Sequence, residues 1–499
     1  MFGLFEKIRS FAGTADRQRT VPFASAKTTL GWLRSLPDSS DYDTHHALVE
    51  GLERYNGDTR GDTHNRMKVL TLIEEAGLPL QARLVSQYLN SHERNDPSRQ
   101  NLWRECHLFW DQLTVAYLPF LNSVLTGNGE SEKLASFAPQ IAVKTARYFA
   151  LCMRWEYLRG RRPAESSWRR LHKIYRALES AGIVLDRVRI DGEESSCARE
   201  YVLTLLYDLA NPYAFSPAEI QPALDLLDNL RELPVPESGL RHGRHSHMVD
   251  LTANGGPERI DDRWVPGGRL RYVDFHMVME ELDRCAGSEP DPLRAVVCRK
   301  LSKVVERAGS SRRGPRNARF GEMRAVFGIE EIVRTFWPLP GAAQNQEFIT
   351  LRDESSKGIG FILHDERELA PGSLLAVDRD EGRGAWQLLA VRWQATEAGQ
   401  WLLGTEVLSK YPKRVDLEWQ ADSATGRSEA LFLPLASASQ GATSNLLLPP
   451  SAYLAGRELL LSQDDGTRYR LKLGAVVEPH ESWLRVRFDV LSRETGARQ

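Results

Sequence analysis

The sequence has no apolar run approaching the ~20 residues that a membrane-spanning helix needs. It also lacks an excess of charge. Against 65 Lys and Arg stand 67 Asp and Glu, a formal net charge of -2. That balance excludes a chain whose whole surface grips DNA or anionic lipid, so any anion binding must come from local clustering. Cysteine is scarce: Cys106, Cys152, Cys197, Cys285 and Cys298 form no Cys-x-x-Cys and have no histidine partners at metal-ligand spacing. They read as reduced thiols of a cytoplasmic protein, not as a disulfide frame or zinc site. No glycine-rich phosphate loop opens a helix, and there is no Gly-x-Ser-x-Gly elbow or His-Glu-x-x-His. The expectation is therefore a binding protein with no metal and no cofactor, rather than an enzyme. An unrecognised enzyme in the helical half is the remote alternative.

What is present divides the chain. Its 499 residues exceed one hydrophobic core, and length alone points to roughly three domains. Met1-Phe-Gly-Leu-Phe-Glu-Lys-Ile is a short amphipathic start without the long apolar core of a signal peptide. Its Phe2, Leu4, Phe5 and Ile8 would dock on the protein's own helices or touch a membrane surface. Up to about residue 310 the apolar residues recur at helical spacing, as in Ile220, Leu224, Leu227, Leu230 and in Tyr201, Leu205, Leu209. Ser216-Pro217-Ala218-Glu219 is a capping box with proline at the first helical position. Trp168, Leu171 and Tyr175 hint at a tetratricopeptide helix, but no 34-residue period stands behind them, so an irregular bundle is expected. Residues 232–275 break the pattern with prolines and paired glycines, leaving one short hairpin of Met248–Leu251 against Leu270–Val273.

From about residue 320 the apolar residues alternate or come in short runs between glycine and proline, the pattern of a small antiparallel barrel. Strands are read at Met323–Ile329, Glu347–Leu351, Gly360–Leu363, Ser373–Val377, Trp386–Trp393, Trp401–Leu408 and Arg414–Trp419. Residues 420–428 read as a polar linker, and 430–491 as a second strand-rich block. The expected architecture is multidomain, α plus all-β: a mostly helical region over 1–310, a barrel over 311–419, and a second small β-unit over 420–499.

At the switch of period sits Ser310-Ser311-Arg312-Arg313-Gly314-Pro315-Arg316-Asn317-Ala318-Arg319, four arginines and no acid. A guanidinium donates two parallel hydrogen bonds to phosphate and can stack on a base. Gly314 and Pro315 keep the segment out of a helix, and alone it would be read as a solvated linker. Downstream, Asp353-Glu354-Ser355-Ser356-Lys357-Gly358 joins two strands. Asp353 could accept from the N–H edge of a guanine, Ser355 could fix the loop or donate, and Gly358 lets the backbone approach closely. Alone, that motif is an ordinary strand-to-strand turn.

Together, the arm, the Asp353-x-Ser355-x-x-Gly358 turn and the following strands resemble the PilZ domain family over about residues 312–418. The resemblance implies a β-barrel that binds cyclic di-GMP. Arg312 and Arg316 match the family's Arg-x-x-x-Arg spacing and would hold phosphates and stack on guanine, while Arg313 and Arg319 offer competing registers. Asp353, Ser355 and Gly358 match its turn. The separation of arm and turn, with Pro338–Gln346 between them, is longer than usual in the family. The block 430–491 carries neither motif; as a barrel of the same kind it would be a degenerate one, and it is expected to be structural or dimerising. The resemblance thus implies a cytoplasmic receptor in which cyclic di-GMP is a ligand. A protein partner would meet the helical region, and DNA is not expected; oligomerisation is left open. The alternative is a degenerate scaffold of the same fold that mediates protein contacts without ligand.

Two further clusters stand out. His242, His245 and His247 read as a basic, solvated loop rather than a metal site. Arg159-Gly160-Arg161-Arg162 reads as a helix end with cations suited to its dipole.

Overall fold

A computed structural model describes residues 22–495, apart from 59, 92–96, 128–130, 191, 261–266, 308–316, 337–345, 356, 366, 368, 380–384, 398–399, 422–423, 435–443, 464–466 and 481. The first half is helical: α1 (Ala26–Leu33), α2 (Asp41–Gly57), α3 (Thr63–Asn90), α4 (Pro97–Thr126), α5 (Ser131–Leu134), α6 (Ala138–Leu158), α7 (Glu165–Ser180), α8 (Cys197–Leu209) and α9 (Pro217–Asp228). After an irregular stretch come α10 (His276–Ser288) and α11 (Pro292–Arg307). Among the described residues no helix is long and apolar enough to cross a membrane.

Local chemistry sets these helices. Ser40 accepts from the Asp43 N–H at 3.1 Å, with Asp41 and Asp43 in the first turn of α2 opposing its dipole. At α9, Glu219 Oε2 accepts from the Ser216 N–H at 2.7 Å and also holds Lys300 of α11 at 2.8 Å, so one cap pins two helices. Tertiary packing does the rest, through one apolar core running from Phe23 to Val305. Trp103 of α4 and Trp155 of α6 each donate their indole N–H to the other's carbonyl, at 3.0 and 2.8 Å, which fixes the register of the two helices. The buried Glu74 carboxylate is satisfied by Lys144 at 2.7 Å and by the hydroxyls of Tyr117 and Tyr148.

His172 on α7 has a defined tautomer. Its Nε2 donates to the Gly255 carbonyl (2.9 Å), leaving Nδ1 to accept from the Tyr201 hydroxyl (2.8 Å). Burial lowers its pKa, partly offset by the Gly255 bond. The folded state therefore binds a proton less readily than the unfolded chain, whose histidines titrate near ~6.5. This contribution is present above that value and is lost as pH falls through the lowered pKa. Acidification from about pH 7.5 to about pH 5.5 should lower the melting temperature of the wild type more than that of His172→Gln. Parallel slopes in thermal melts would refute the assignment.

Within the irregular stretch, β3 (His247–Asp250) runs antiparallel to both β5 (Leu270–Val273) and the short β4 (Glu258–Arg259), after a separate ribbon of β1 (Val188–Ile190) and β2 (Glu193–Ser195). The histidines next to β3 depart from the solvated-loop reading. His247 is buried against Phe275, and His245 stacks on Tyr272 and accepts from the Arg241 N–H at 2.9 Å. His247, Met248 and Val249 are buried in succession along β3 while His242 is exposed, so both faces of this strand are covered, which a count of charge in the segment does not reveal.

Two closed six-stranded antiparallel barrels follow. The first holds β6 (Asn317–Phe327), β7 (Glu347–Glu354), β8 (Gly358–Leu363), β9 (Leu374–Asp378), β10 (Trp386–Glu397) and β11 (Gln400–Ser409). The second holds β12 (Lys413–Ala421), β13 (Ala424–Leu433), β14 (Asn445–Leu448), β15 (Glu458–Ser462), β16 (Thr467–Pro479) and β17 (Leu484–Thr495). Around the first, the pairing runs β6-β7-β8-β11-β10-β9 and back to β6; around the second, β12-β13-β14-β17-β16-β15 and back to β12. Counted from its own first strand, each barrel therefore has the order 1-2-3-6-5-4. The chain carries the same barrel topology twice.

Three readings of this half change. Arg414–Trp419 is the opening strand of the second barrel and not the last of the first, because its ladder partners are β13 and β15. Residues 420–421 and 424–428 are not a linker. They belong to the β12–β13 ribbon, in which Gln420 faces Thr425 and Trp419 faces Gly426, and their polarity reflects the alternating exposure of residues 425–429. A helix, α12 (Ile329–Phe336), follows β6 where only a strand was read. Gly328, at φ +82°, ends the strand and accepts the first helical bond from Ile332 N at 3.0 Å.

Ile332 and Val333 of α12 bury into a core shared by both barrels, with Leu374 and Leu388 from one and Leu431, Leu447 and Trp483 from the other. Arg392 of β10 adds bonds to Glu406 of β11 and to Glu478 of β16.

Candidate functional site

The Asp353–Gly358 turn joins β7 to β8 at one end of the first barrel. Ser355 closes it: Oγ donates to the Gly358 carbonyl (3.0 Å) and accepts from the Gly358 N–H (3.1 Å), while the Ser355 N–H bonds the same carbonyl at 2.9 Å. Of the two roles read for Ser355, fixing the loop is the one the geometry displays. Gly358 is buried, and a Cβ there would overlap the Thr405 carbonyl oxygen of β11. The glycine is required by the close approach of two strands, not by an unusual φ.

Asp353 stands where two irregularities meet. On one side, pairing with β8 jumps from Leu351↔Phe361 to Asp353↔Gly360, giving β7 an extra residue. On the other, pairing with β6 jumps from Ala318↔Asp353 to Gly321↔Leu351, giving β6 an extra residue. Bulges re-aim side chains and end regular pairing, and they concentrate at functional rims. Next to them, Glu354 is paired with Arg379 at the end of β9. Phe320, in the β6 bulge, is 79% exposed, an unusual position for a ring on a barrel wall. Sequence reasoning passed over both Phe320 and Arg379. A bulge depends on partner strands far away in sequence, so periodicity could not show it.

Arg312, Arg313 and Arg316 lie outside the described residues, as does the side chain of Arg319. What the ladder fixes is where the arm ends. Asn317 pairs with Glu354 and Ala318 with Asp353, so Arg316 immediately precedes a residue hydrogen-bonded beside the turn.

The helical region docks on the opposite end of this barrel. Trp393 and Ala395 of β10 pack into the helical core, and the Trp393 ring covers Gly404 of β11 where a Cβ would not fit. Thr396 bonds across the boundary: its N–H donates to the Gly160 carbonyl (3.2 Å), and its carbonyl accepts from Arg162 N (3.4 Å). Arg162 lies over the rings of Tyr213 and Trp393, at 5.4 and 5.0 Å. The Arg159–Arg162 run follows the end of α6, as its sequence reads, and is also a docking strip for the barrel.

Residues 27–235, from α1 to just past α9, match the family model described as the N-terminal domain of the cyclic-di-GMP receptor FimW. No curated protein matches the chain.

Proposed function

We propose that the chain is a cyclic di-GMP receptor whose first barrel is PilZ-like and binds the dinucleotide between its arginine arm and the Asp353–Gly358 turn. The observation that carries this reading is the pairing of Asn317 and Ala318 with Glu354 and Asp353, which sets the start of β6, directly after the arginine-rich stretch of sequence, beside a turn that has an acceptor, a hydroxyl and a close-approach glycine. The match of the helical region to a cyclic-di-GMP receptor domain supports the same ligand. In this reading Arg312 and Arg316 hold the phosphates, with Arg313 as the competing register. Asp353 accepts from guanine, and Ser355 and Gly358 keep the turn rigid. Phe320 is placed to stack on a base.

Ligand capture would move the helical region because the arm connects the two. Residues 308–316 separate α11 from β6, a span of at most about 35 Å when extended. They lead from the helical region to the barrel end away from it, so folding the arm over a ligand shortens that connection and biases how the helical region sits. The helical region is then the output surface for a protein partner. The second barrel, with the same topology and neither motif, acts as a scaffold.

Calorimetric titration of the full chain with cyclic di-GMP tests this. Saturable heat is expected, weakened roughly tenfold or more by Arg316→Ala and by whichever of Arg312→Ala or Arg313→Ala removes the second phosphate contact. Raised salt should weaken it further. No heat and no competition at tens of micromolar ligand would end the proposal.

A further inference from the structure

We infer that Cys285 and Cys298 form a reversible disulfide site, one that exchanges with small-molecule disulfides of the glutathione class and fastens the α10–α11 hairpin. Cys285 lies in the last turn of α10 and Cys298 in the second turn of α11, and both are free thiols. Cys298 donates its S–H to Cys285 Sγ at 3.0 Å, roughly 1 Å beyond the length of a disulfide bond.

Their exposure differs, and that sets their roles. Cys285 is half-buried, flanked by the exposed Arg284, Gly287 and Ser288, and a Cβ on Gly287 would meet only open space. A soluble disulfide can reach Cys285 there. Cys298 is fully buried. Burial pushes its thiol up to about 12, and the Cys285 sulfur beside it adds to the shift, so Cys298 keeps its proton until a bond forms next to it. The other three cysteines are placed differently. Cys106 and Cys197 are buried in the apolar core of the helical region, and Cys152 lies against the Thr114 hydroxyl at 4.0 Å. Burial raises the pKa of all three, the condition of inert core cysteines.

The turn between the helices holds the pair in place. The Glu289 N–H donates to the Cys285 carbonyl at 2.9 Å, Arg294 donates to the Glu289 carboxylate at 3.3 Å, and Asp291 accepts from the Leu293 N–H at 2.9 Å. In the first step the Cys285 thiolate attacks one sulfur of glutathione disulfide. That S–S bond breaks, and the glutathione released takes up the proton that Cys285 gave to solvent. In the second, Cys298 Sγ attacks the Cys285 sulfur of the mixed disulfide, and its proton goes to the second departing glutathione. Two protein thiols are oxidised to one disulfide while one glutathione disulfide is reduced to two thiols. Sulfurs held in contact make the second step effectively unimolecular, so the mixed disulfide is short-lived.

The bond ties down the helix from which the chain leaves for the first barrel. α11 runs on to Arg307, and Lys300 already holds it to Glu219 of α9. A covalent tie to α10 removes conformations that the unfastened hairpin can reach. Nothing in this depends on a ligand at the barrel.

The test incubates the reduced full chain with mixtures of reduced and oxidised glutathione, alkylates it with N-ethylmaleimide and maps the peptides by mass spectrometry. The expected product joins Cys285 to Cys298, forms at least roughly tenfold faster than any modification of Cys106, Cys152 or Cys197, and returns to thiols with dithiothreitol. Cys298→Ala should instead accumulate a stable glutathione adduct on Cys285, and Cys285→Ser should leave Cys298 unmodified. Amide hydrogen exchange in α10 and α11 of the bridged wild type, which needs no variant to fold, should slow at least roughly tenfold. A wild type that stops at the mixed disulfide, modifies another cysteine as fast, or stays reduced in excess oxidised glutathione overturns the inference. So does hairpin exchange unchanged by the bridge.

Discussion

Replacing Trp483 by alanine is expected to destabilise the paired barrels by about 3–5 kcal/mol and to lower their melting temperature by on the order of 10 °C. The side chain is fully buried, in the core that α12, β9 and β10 share with β13 and β14. Its ring stacks on His480 at 5.3 Å, and its indole N–H donates to the Gly372 carbonyl. Alanine would leave a large cavity and a carbonyl without its partner, and the surrounding strands cannot close in because their ladders hold them. Trp483→Phe keeps most of the packing and loses only the N–H, so it should cost about 1–2 kcal/mol. Thermal melts of the full chain, with proteolysis between Ser409 and Lys413 as a second readout, separate the two variants. An alanine variant melting within about 2 °C of the wild type would mean that the barrels do not depend on this contact.

That interface explains why the second barrel exists without a binding motif. Gly372, at φ +92°, brings its loop so close to His480 that a Cβ would overlap the imidazole ring. The same loop lines a cleft against the helical region. The second barrel therefore braces, through one loop, the end of the first barrel that meets the helices. A ligand captured at the other end, as proposed, would work against a fixed base rather than against a domain free to turn.

The parts of this arrangement legible in the sequence are those written in neighbouring residues. The capping box at Ser216–Glu219 and the change from helical to alternating periodicity near residue 310 both depend on residues a few positions apart. The pieces that were misread depend on distant partners. The 420–428 ribbon looked like a linker because its exposed face is polar, and only pairing with β13 and β15 shows that β12 opens a new barrel. Arg159–Arg162 was legible as a helix end but not as a docking strip, because its partner, Thr396, lies more than two hundred residues away. The repeated 1-2-3-6-5-4 order was legible only as a second strand-rich block that could be a degenerate barrel of the same kind. A barrel of this kind is fixed by which strands pair and by inward-facing apolar residues that many sequences satisfy.

The second large effect is expected at Gly358. Alanine there would drive its Cβ into the Thr405 carbonyl oxygen, a backbone atom of β11 that cannot swing aside. Thr405 is tied to β8 by its ladder with Ile359 and by its hydroxyl, which donates to the Ile359 carbonyl at 2.8 Å. Relief requires prising β8 from β11 at the barrel rim, an overpacking cost of about 1–3 kcal/mol. The same movement would break the Ser355–Gly358 bonds and displace Asp353 from between its two bulges. Affinity for cyclic di-GMP should then fall at least roughly tenfold, beyond what lost stability alone would give to a protein still folded. Gly321→Ala supplies the control, since a Cβ there meets open space on the same barrel and should change stability by no more than about 0.5 kcal/mol. Ser355→Ala, which removes the hydroxyl and leaves the strands alone, should weaken binding less than Gly358→Ala does. If Gly358→Ala binds and melts as Gly321→Ala does, the turn is not the rigid corner that the arginine arm needs opposite it, and the ligand must be sought elsewhere on the molecule.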